Sequence, residues 1–233
     1  MIPGVTPVGG FSLCSSPAVL PFVEIVVKYP LRPHEPALWF HGEPEEGAPL
    51  QLRAGGGFTY DPAHDERLAQ GKRRHVVLIA GGIGVSPLRS IALQVERYLA
   101  DATDGGGDAA LTMTVLYSAV STTEMVFAND FAEMAARFPH AISVDLFAAD
   151  AGPRDDHWAE PPPVFSQPDA PVALHERQQL TQEALSSTLT TSHGGVDDVL
   201  MVVCGPPPMT DAVVDMCRKL QVPEEAVLFE KWW

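Results

Sequence analysis

His75-Val76-Val77-Leu78-Ile79-Ala80-Gly81-Gly82-Ile83-Gly84-Val85-Ser86-Pro87 is the stretch that decides the fold of this 233-residue chain. Its first part is an unbroken apolar run, rich in β-branched residues and of a strand's length, as expected for a strand buried on both faces. Glycines then break it. Beyond Pro87, Leu88, Ile91, Ala92, Val95, Tyr98 and Leu99 recur at helical spacing, so residues 86–100 read as an amphipathic helix. A buried strand, a glycine turn and a helix in direct succession make an anion-binding junction. Gly81, Gly82 and Gly84 let the backbone turn tightly and come close to a pyrophosphate, whose charge is met by free N–H groups at the helix start. Val85 leads into the helix, Ser86 is placed to cap it, and Pro87 suits its first position. The plainer alternative is a turn that uses glycine only to reverse direction.

Working downstream, the texture stays alternating. Residues 111–117, 141–147, 199–203 and 226–229 read as further strands. Helices are expected over 129–138, with Phe131, Met134, Ala135 and Phe138 inward, and over about 209–220. Strands alternating with helices give an α/β fold, a doubly wound parallel sheet of five strands with crossover connections. Residues 101–108 form a Gly/Asp loop. Residues 151–171, with Pro161-Pro162-Pro163, read as a Pro-rich acidic surface insertion, and a short helix is expected over 177–189.

Upstream, residues 1–73 read as a separate, β-rich part, and residues 74–233 as the α/β domain. The apolar run over 19–29 fits a strand preceded by a turn at Ser15-Ser16-Pro17. Over 49–54, Leu50 and Leu52 alternate with Gln51 and Arg53, as in a half-buried strand, before Gly55-Gly56-Gly57 ends it. A small sheet or a partial antiparallel barrel is the expectation here.

Composition narrows the function. Hydrophobic residues make up 45%, enough for a packed core. A formal charge of −15 argues against nucleic acid and against docking on anionic lipid. No apolar run is long enough to span a membrane, and the start lacks the pattern of a secretory signal. The three cysteines, Cys14, Cys204 and Cys217, form no C-x-x-C pair, which speaks for a reducing compartment and against a metal site. A soluble intracellular protein, mitochondrial or cytoplasmic, is expected.

A second junction carries chemistry. Cys204-Gly205-Pro206-Pro207-Pro208-Met209 stands at the C-terminal end of another expected parallel strand. Ligands in such sheets bind beyond the carboxyl ends of the strands, so Cys204 would face the same crevice as Gly82 and Gly84. A buried core cysteine before a rigid turn is the plain alternative, and Cys217 reads as core.

The two junctions together resemble the ferredoxin–NADP reductase superfamily, in which a flavin-binding barrel precedes a nucleotide-binding domain. The likeness extends to Gly9-Gly10-Phe11-Ser12-Leu13-Cys14-Ser15-Ser16-Pro17, to Pro36-Ala37-Leu38-Trp39 and to Phe229-Glu230-Lys231-Trp232-Trp233. The resemblance implies that Phe11 stacks on an isoalloxazine and that Ser12 bonds its N5, with Cys14 and Ser15 beside them. The superfamily's phosphate-pairing arginine falls at Gly9, so FAD lacks that ion pair here; such a charge-assisted bond is worth about 1.5–3 kcal/mol. Arg53 and Lys28 are the substitutes in view. The superfamily also has several barrel strands ahead of this motif, so the barrel is expected to be partial and the chain truncated.

The resemblance further implies a hydride-transfer centre of Ser12, Cys204 and Glu230, with Gly205, Pro206, Pro207 and Met209 around the nicotinamide and Trp233 covering a ring face. Cys204 would shape the pocket and not attack, since nothing basic adjoins it in sequence. Neither 118–124 nor 148–150 offers Lys or Arg for a ribose phosphate, so NADH is expected over NADPH. With no Fe–S or haem motif, electrons would pass to an unidentified acceptor. Three functions stay open: a flavin-dependent NAD(P)H oxidoreductase, an NADH-dependent reductase of free flavin, and a non-catalytic nucleotide-binding module with a degenerate barrel.

Overall fold

The computed structural model describes residues 2, 4–30, 32–42, 44–103, 110–149, 171–191 and 195–231. Two short helices come first, α1 (Glu35–His41) and α2 (Glu66–Ala69). They are followed by β1 (Arg74–Gly81), α3 (Val85–Thr103), β2 (Leu111–Ala119), α4 (Ala128–Arg137), β3 (Ile142–Ala148) and β4 (Val172–Glu176). The chain continues with α5 (Gln182–Thr191), β5 (Val199–Gly205), α6 (Pro207–Lys219) and β6 (Val227–Lys231). The strands form one sheet in the order β4-β3-β2-β1-β5-β6, every neighbouring pair parallel. The expected doubly wound parallel sheet is what forms.

Helices cover both faces, which explains why β1 is apolar from Val76 to Ala80. Val76, Leu78 and Ala80 pack toward α3 and α4, against Val85, Leu88, Val95, Phe131 and Ala135. Val77 and Ile79 pack the other way with Met201, Val203, Leu185 of α5, and Val213 and Cys217 of α6. Burying both faces of one strand favours apolar side chains, and the one buried polar residue of β1, His75, is hydrogen-bonded to Thr112 and Thr114.

The winding reverses between β1 and β5. From β1 the chain runs outward through β2, β3 and β4, then returns to lay β5 on β1's other side. Such a switch point opens a crevice beyond the carboxyl ends of the two strands. The turns after Gly81 and after Cys204 flank it.

Several expectations are corrected. The sheet has six strands and not five: β4 has only Val172 buried and His175 half-buried, and its three apolar residues, Val172-Ala173-Leu174, are too few to mark a strand. The helix expected over 177–189 begins at Gln182. Neither upstream strand forms. Residues 17–19 make a 3-10 turn capped by Ser16, and Leu13 and Ile25 form an isolated antiparallel bridge. Residues 49–54 have no regular structure, and Leu52 is 76% exposed. An alternating pattern makes a strand only where a partner takes its hydrogen bonds and its apolar face. Most of the insertion, residues 151–170, lies outside the described residues, as does Trp233.

The linker before the sheet is tied to its base by ions. Arg74 at the start of β1 donates from Nε to Asp65 (2.8 Å) and from Nη1 to the carbonyl of Val199 (3.4 Å). Tyr60 donates its hydroxyl to Asp65, and Arg67 pairs with Asp198.

Candidate functional site

The glycine turn is built for close approach at two positions and for openness at a third. A β-carbon on Gly84 would lie 2.6 Å from the carbonyl carbon of Cys204 and 2.8 Å from the α-carbon of Gly205. One on Gly205 would come within 3.1 Å of the Gly81 backbone and 2.8 Å of the Met209 methyl. The two junctions therefore touch backbone to backbone, which only glycine permits. Gly82 differs: its φ is +52°, and nothing stands within 4 Å of where a β-carbon would be. Its main chain faces open space at the head of a 19-residue helix.

Ser86 lies in the first turn of α3, 2% exposed, and its Oγ has no hydrogen-bond partner. The expected cap is thus not made. The helix begins at Val85 after a 3-10 turn over Gly82–Gly84, which puts Ser86 second and Pro87 third. Pro87 costs nothing there, because a first-turn residue has no intrahelical N–H bond to lose. A buried hydroxyl without a partner is uncommon and asks for an explanation such as a bound group. The helix N-terminus, the open Gly82 main chain and the orphan Ser86 hydroxyl suit an anion in residue type and placement. A dinucleotide's pyrophosphate fits this cradle.

Cys204 is fully buried and stands in register between Ala80 of β1 and Glu230 of β6. Adjacent parallel strands in register turn these side chains to the same face of the sheet, the one covered by α3. Glu230, half-buried on the edge strand, is therefore one strand removed from Cys204. Pro206 precedes α6, with Pro207 and Pro208 in its first turn, and Met209 lies over Gly81 and Gly205. Cys217 faces the core, where burial pushes its thiol up to about 11.

The upstream site residues reach the same helix. Ser90 of α3 donates its hydroxyl to the carbonyl of Ser15 (2.7 Å), and Arg89 Nη1 donates to the carbonyl of Cys14 (2.9 Å). The backbone N–H of Glu24 donates to Ser15 Oγ (3.0 Å), closing the loop between them. Burial pushes the Cys14 thiol up, with Arg89 pulling less strongly the other way. Ser12 is half-buried two residues before this anchor. Phe11 packs edge-on against Phe40, with centroids 5.4 Å apart, and its ring leans over Gly9, where a β-carbon would be 2.5 Å from Phe11 Cε2. The space of the superfamily's arginine is thus taken by an aromatic ring. Lys28 is spent on Glu124 (2.7 Å) and Arg53 is exposed on the irregular stretch. Pro36-Ala37-Leu38-Trp39 lies in the seven-residue α1, capped by His34, and makes no open turn. Phe11 is thus engaged with Phe40 and Gly9, and the Lys28 ammonium with Glu124.

Sequence reasoning missed Arg89, Ser90 and Phe127. Arg89 donates to Cys14, Glu24 (3.3 Å) and Asp130 (2.7 Å), and its guanidinium lies 4.6 Å over the Phe127 ring. Burial opposes its charge, but the hydrogen bond and charge of Asp130 outweigh that and hold its pKa above the usual range. Phe127 has a φ of +89°, outside the range a bulky residue adopts freely. One signal was legible. A cation so near a helix N-terminus opposes the macrodipole, and it calls for compensating partners. Among the described residues no three His, Cys, Asp or Glu side chains gather where they could hold a metal ion, and no helix is long and apolar enough to cross a membrane.

No family model matches the chain. It is 33% identical over 236 residues to oxidoreductase NAD-binding domain-containing protein 1 of Bos taurus, covering all of this chain and 68% of that protein. The Homo sapiens protein of that name gives the same identity and coverage, and that of Danio rerio is 30% identical with 78% of its length covered. Among solved structures, the flavohem-like FAD/NAD-binding domain of nitric oxide dioxygenase from Vibrio cholerae matches with a TM-score of 0.60 at 21% identity, over 95% of this chain and 76% of that one. The CS-b5R domains of human Ncb5or match with a TM-score of 0.60 at 16% identity, over 98% and 57%. At those identities the structures speak for the fold. The sequence relatives speak for more: the chain belongs to the family of oxidoreductase NAD-binding domain-containing protein 1, on a ferredoxin–NADP reductase-like fold.

Proposed function

We propose that this chain is an NADH-dependent oxidoreductase that passes hydride from the nicotinamide to a flavin and electrons onward to a separate acceptor. The observation that carries the reading is the buried, unpartnered Ser86 hydroxyl in the first turn of α3, four residues after Gly82, where the space for a β-carbon is open. A bound dinucleotide supplies the hydride chemistry. The chain's part is to bind, orient and exclude water. Gly82 and Ser86 would hold the pyrophosphate, while Gly205, Pro206 and Pro207 form the wall along which the nicotinamide lies. Cys204, fully buried, would set the depth of that pocket, and Glu230 beside it would steady charge on the ring by hydrogen bonds. Orientation of this kind lowers a barrier without any covalent step. The pieces map onto two parts, residues 1–73 on the flavin side and 74–233 on the nucleotide side.

A second reading is favoured by the Phe11 ring lying over Gly9. With Gly9 in the place of the superfamily's arginine, the flavin would come and go as a substrate instead of staying as a resident cofactor. NADH titration followed by NADH oxidation with and without added FMN separates the cases. Tight NADH binding with turnover only on adding FMN is the expected result. Failure to bind NADH would sink the reading, and binding with no turnover under either condition would leave a nucleotide-binding module.

A further inference from the structure

α3 does two jobs with one face. Ser86 stands three and four residues before Arg89 and Ser90, so the three lie along the same side of the helix. Ser86 stands in the first turn of the helix, buried and without a hydrogen-bond partner. Arg89 and Ser90 hold the carbonyls of Cys14 and Ser15, the backbone that continues from Phe11 and Ser12.

We propose that Arg89 is the positioning residue of this enzyme, setting the placement of the Phe11–Ser15 backbone against the nucleotide helix. The inference rests on the function proposed above. The guanidinium is suited to the task because its donors are fixed in a plane. Nε takes Asp130 on α4, while Nη1 takes the Cys14 carbonyl and the Glu24 carboxylate, and the plane lies over Phe127. Four groups from three segments thus meet on one side chain that is 17% exposed. Phe127 holds its unfavourable backbone angle beneath that cation. The Leu13–Ile25 bridge and the Cys14–Glu24 backbone bond (2.9 Å) close the loop whose neck Arg89 grips, so the grip is on a defined unit. Since rate depends steeply on separation of the reacting atoms, a neck shifted by a fraction of an ångström changes hydride transfer while leaving the pyrophosphate cradle untouched.

The test uses the full chain with NADH and added FMN. Arg89→Gln should lower kcat by about tenfold or more, with NADH Kd changed by less than about threefold. Amide exchange at residues 11–15 should quicken in the same variant. Arg89→Lys, which keeps the charge but not the fork, should recover only part of kcat. Ser90→Ala should lower kcat in the same direction by less, and it guards against Arg89→Gln failing to fold. The proposal is overturned if kcat stays within about twofold of wild type while exchange at 11–15 quickens, or if Kd and kcat worsen together. Wild-type protein that binds NADH without turning it over, or does not bind it, overturns the functional reading itself, a result distinct from an active wild type with an unaffected variant.

Discussion

The α-carbon of Gly84 lies against the carbonyl of Cys204, so close that a β-carbon on Gly84 would stand 2.6 Å from the carbonyl carbon. The obstruction is backbone and cannot swing aside, so Gly84→Ala must push α3 away from β5. We expect a loss of about 1–3 kcal/mol, as for other overpacked sites, and a thermal midpoint lower by roughly 2–4 °C per kcal/mol. Gly82→Ala has room but a left-handed φ of +52°, so it should cost only about 1 kcal/mol. Thermal denaturation of both variants compares them; equal losses would mean that the two junctions do not touch.

Ser86 should give effects of opposite sign with and without nucleotide. Its buried Oγ has no partner, so Ser86→Ala removes an unsatisfied polar atom and, without nucleotide, should leave stability unchanged or slightly raised. With NADH, the same change removes a bond to a charged phosphate and should weaken binding by about tenfold. Denaturant melts and NADH titration read the two signs, and unaltered affinity would remove Ser86 from the nucleotide site.

Cofactor choice should turn on Lys28 and Glu124. No cation belongs to the loop after β2, yet Lys28 reaches it from upstream and is held there by Glu124 at 2.7 Å. An ammonium already neutralised is a poor partner for a ribose phosphate, so NADH should bind more tightly than NADPH. Glu124→Gln releases Lys28 and should narrow the gap. Parallel titration of both nucleotides checks this, and a wider gap in the variant would reverse the assignment.

Asp65 should impart an acid limb to stability. Burial works to raise its pKa, but hydrogen bonds from Arg74 and from the backbone of Arg67 and Leu68 win, and the carboxyl sits below its ordinary value. A depressed folded pKa means stability that is present above about pH 4, the unfolded value, and is lost as pH falls through the lower folded value. Asp65→Asn should cost about 3–5 kcal/mol at neutral pH, because it leaves the Arg74 guanidinium buried without its carboxylate. The variant should also lose part of the acid-induced decline. Urea melts from pH 7 down to about pH 3 follow both effects; an unchanged slope would assign the acid limb to other groups.

The nucleotide half was legible because its signals are local. β1 is apolar from Val76 to Ala80, and its glycine turn and the periodic helix behind it follow within 30 residues of sequence. β4 was not legible, since an edge strand with one buried residue needs no apolar run. The upstream strands were over-read for the converse reason. Residues 19–29 carry the composition of a strand, but among the described residues their one strand-like bridge is Leu13–Ile25, and Phe22 is left 75% exposed.

Phe11, Ser12 and Glu230 are candidate site residues through the family resemblance; from the sequence alone come the alternation of strands and helices and the two glycine junctions with Cys204. These depend on residue type and spacing, which a linear reading contains. Only the tertiary structure decided that the junctions meet backbone to backbone, that Ser86 is left without a partner, and that Arg89 joins Cys14, Glu24, Asp130 and Phe127. Those relationships link residues as many as 120 positions apart, such as Gly84 and Cys204. They arise when the sheet winds back on itself at β1 and β5, a matter of chain path and not of composition.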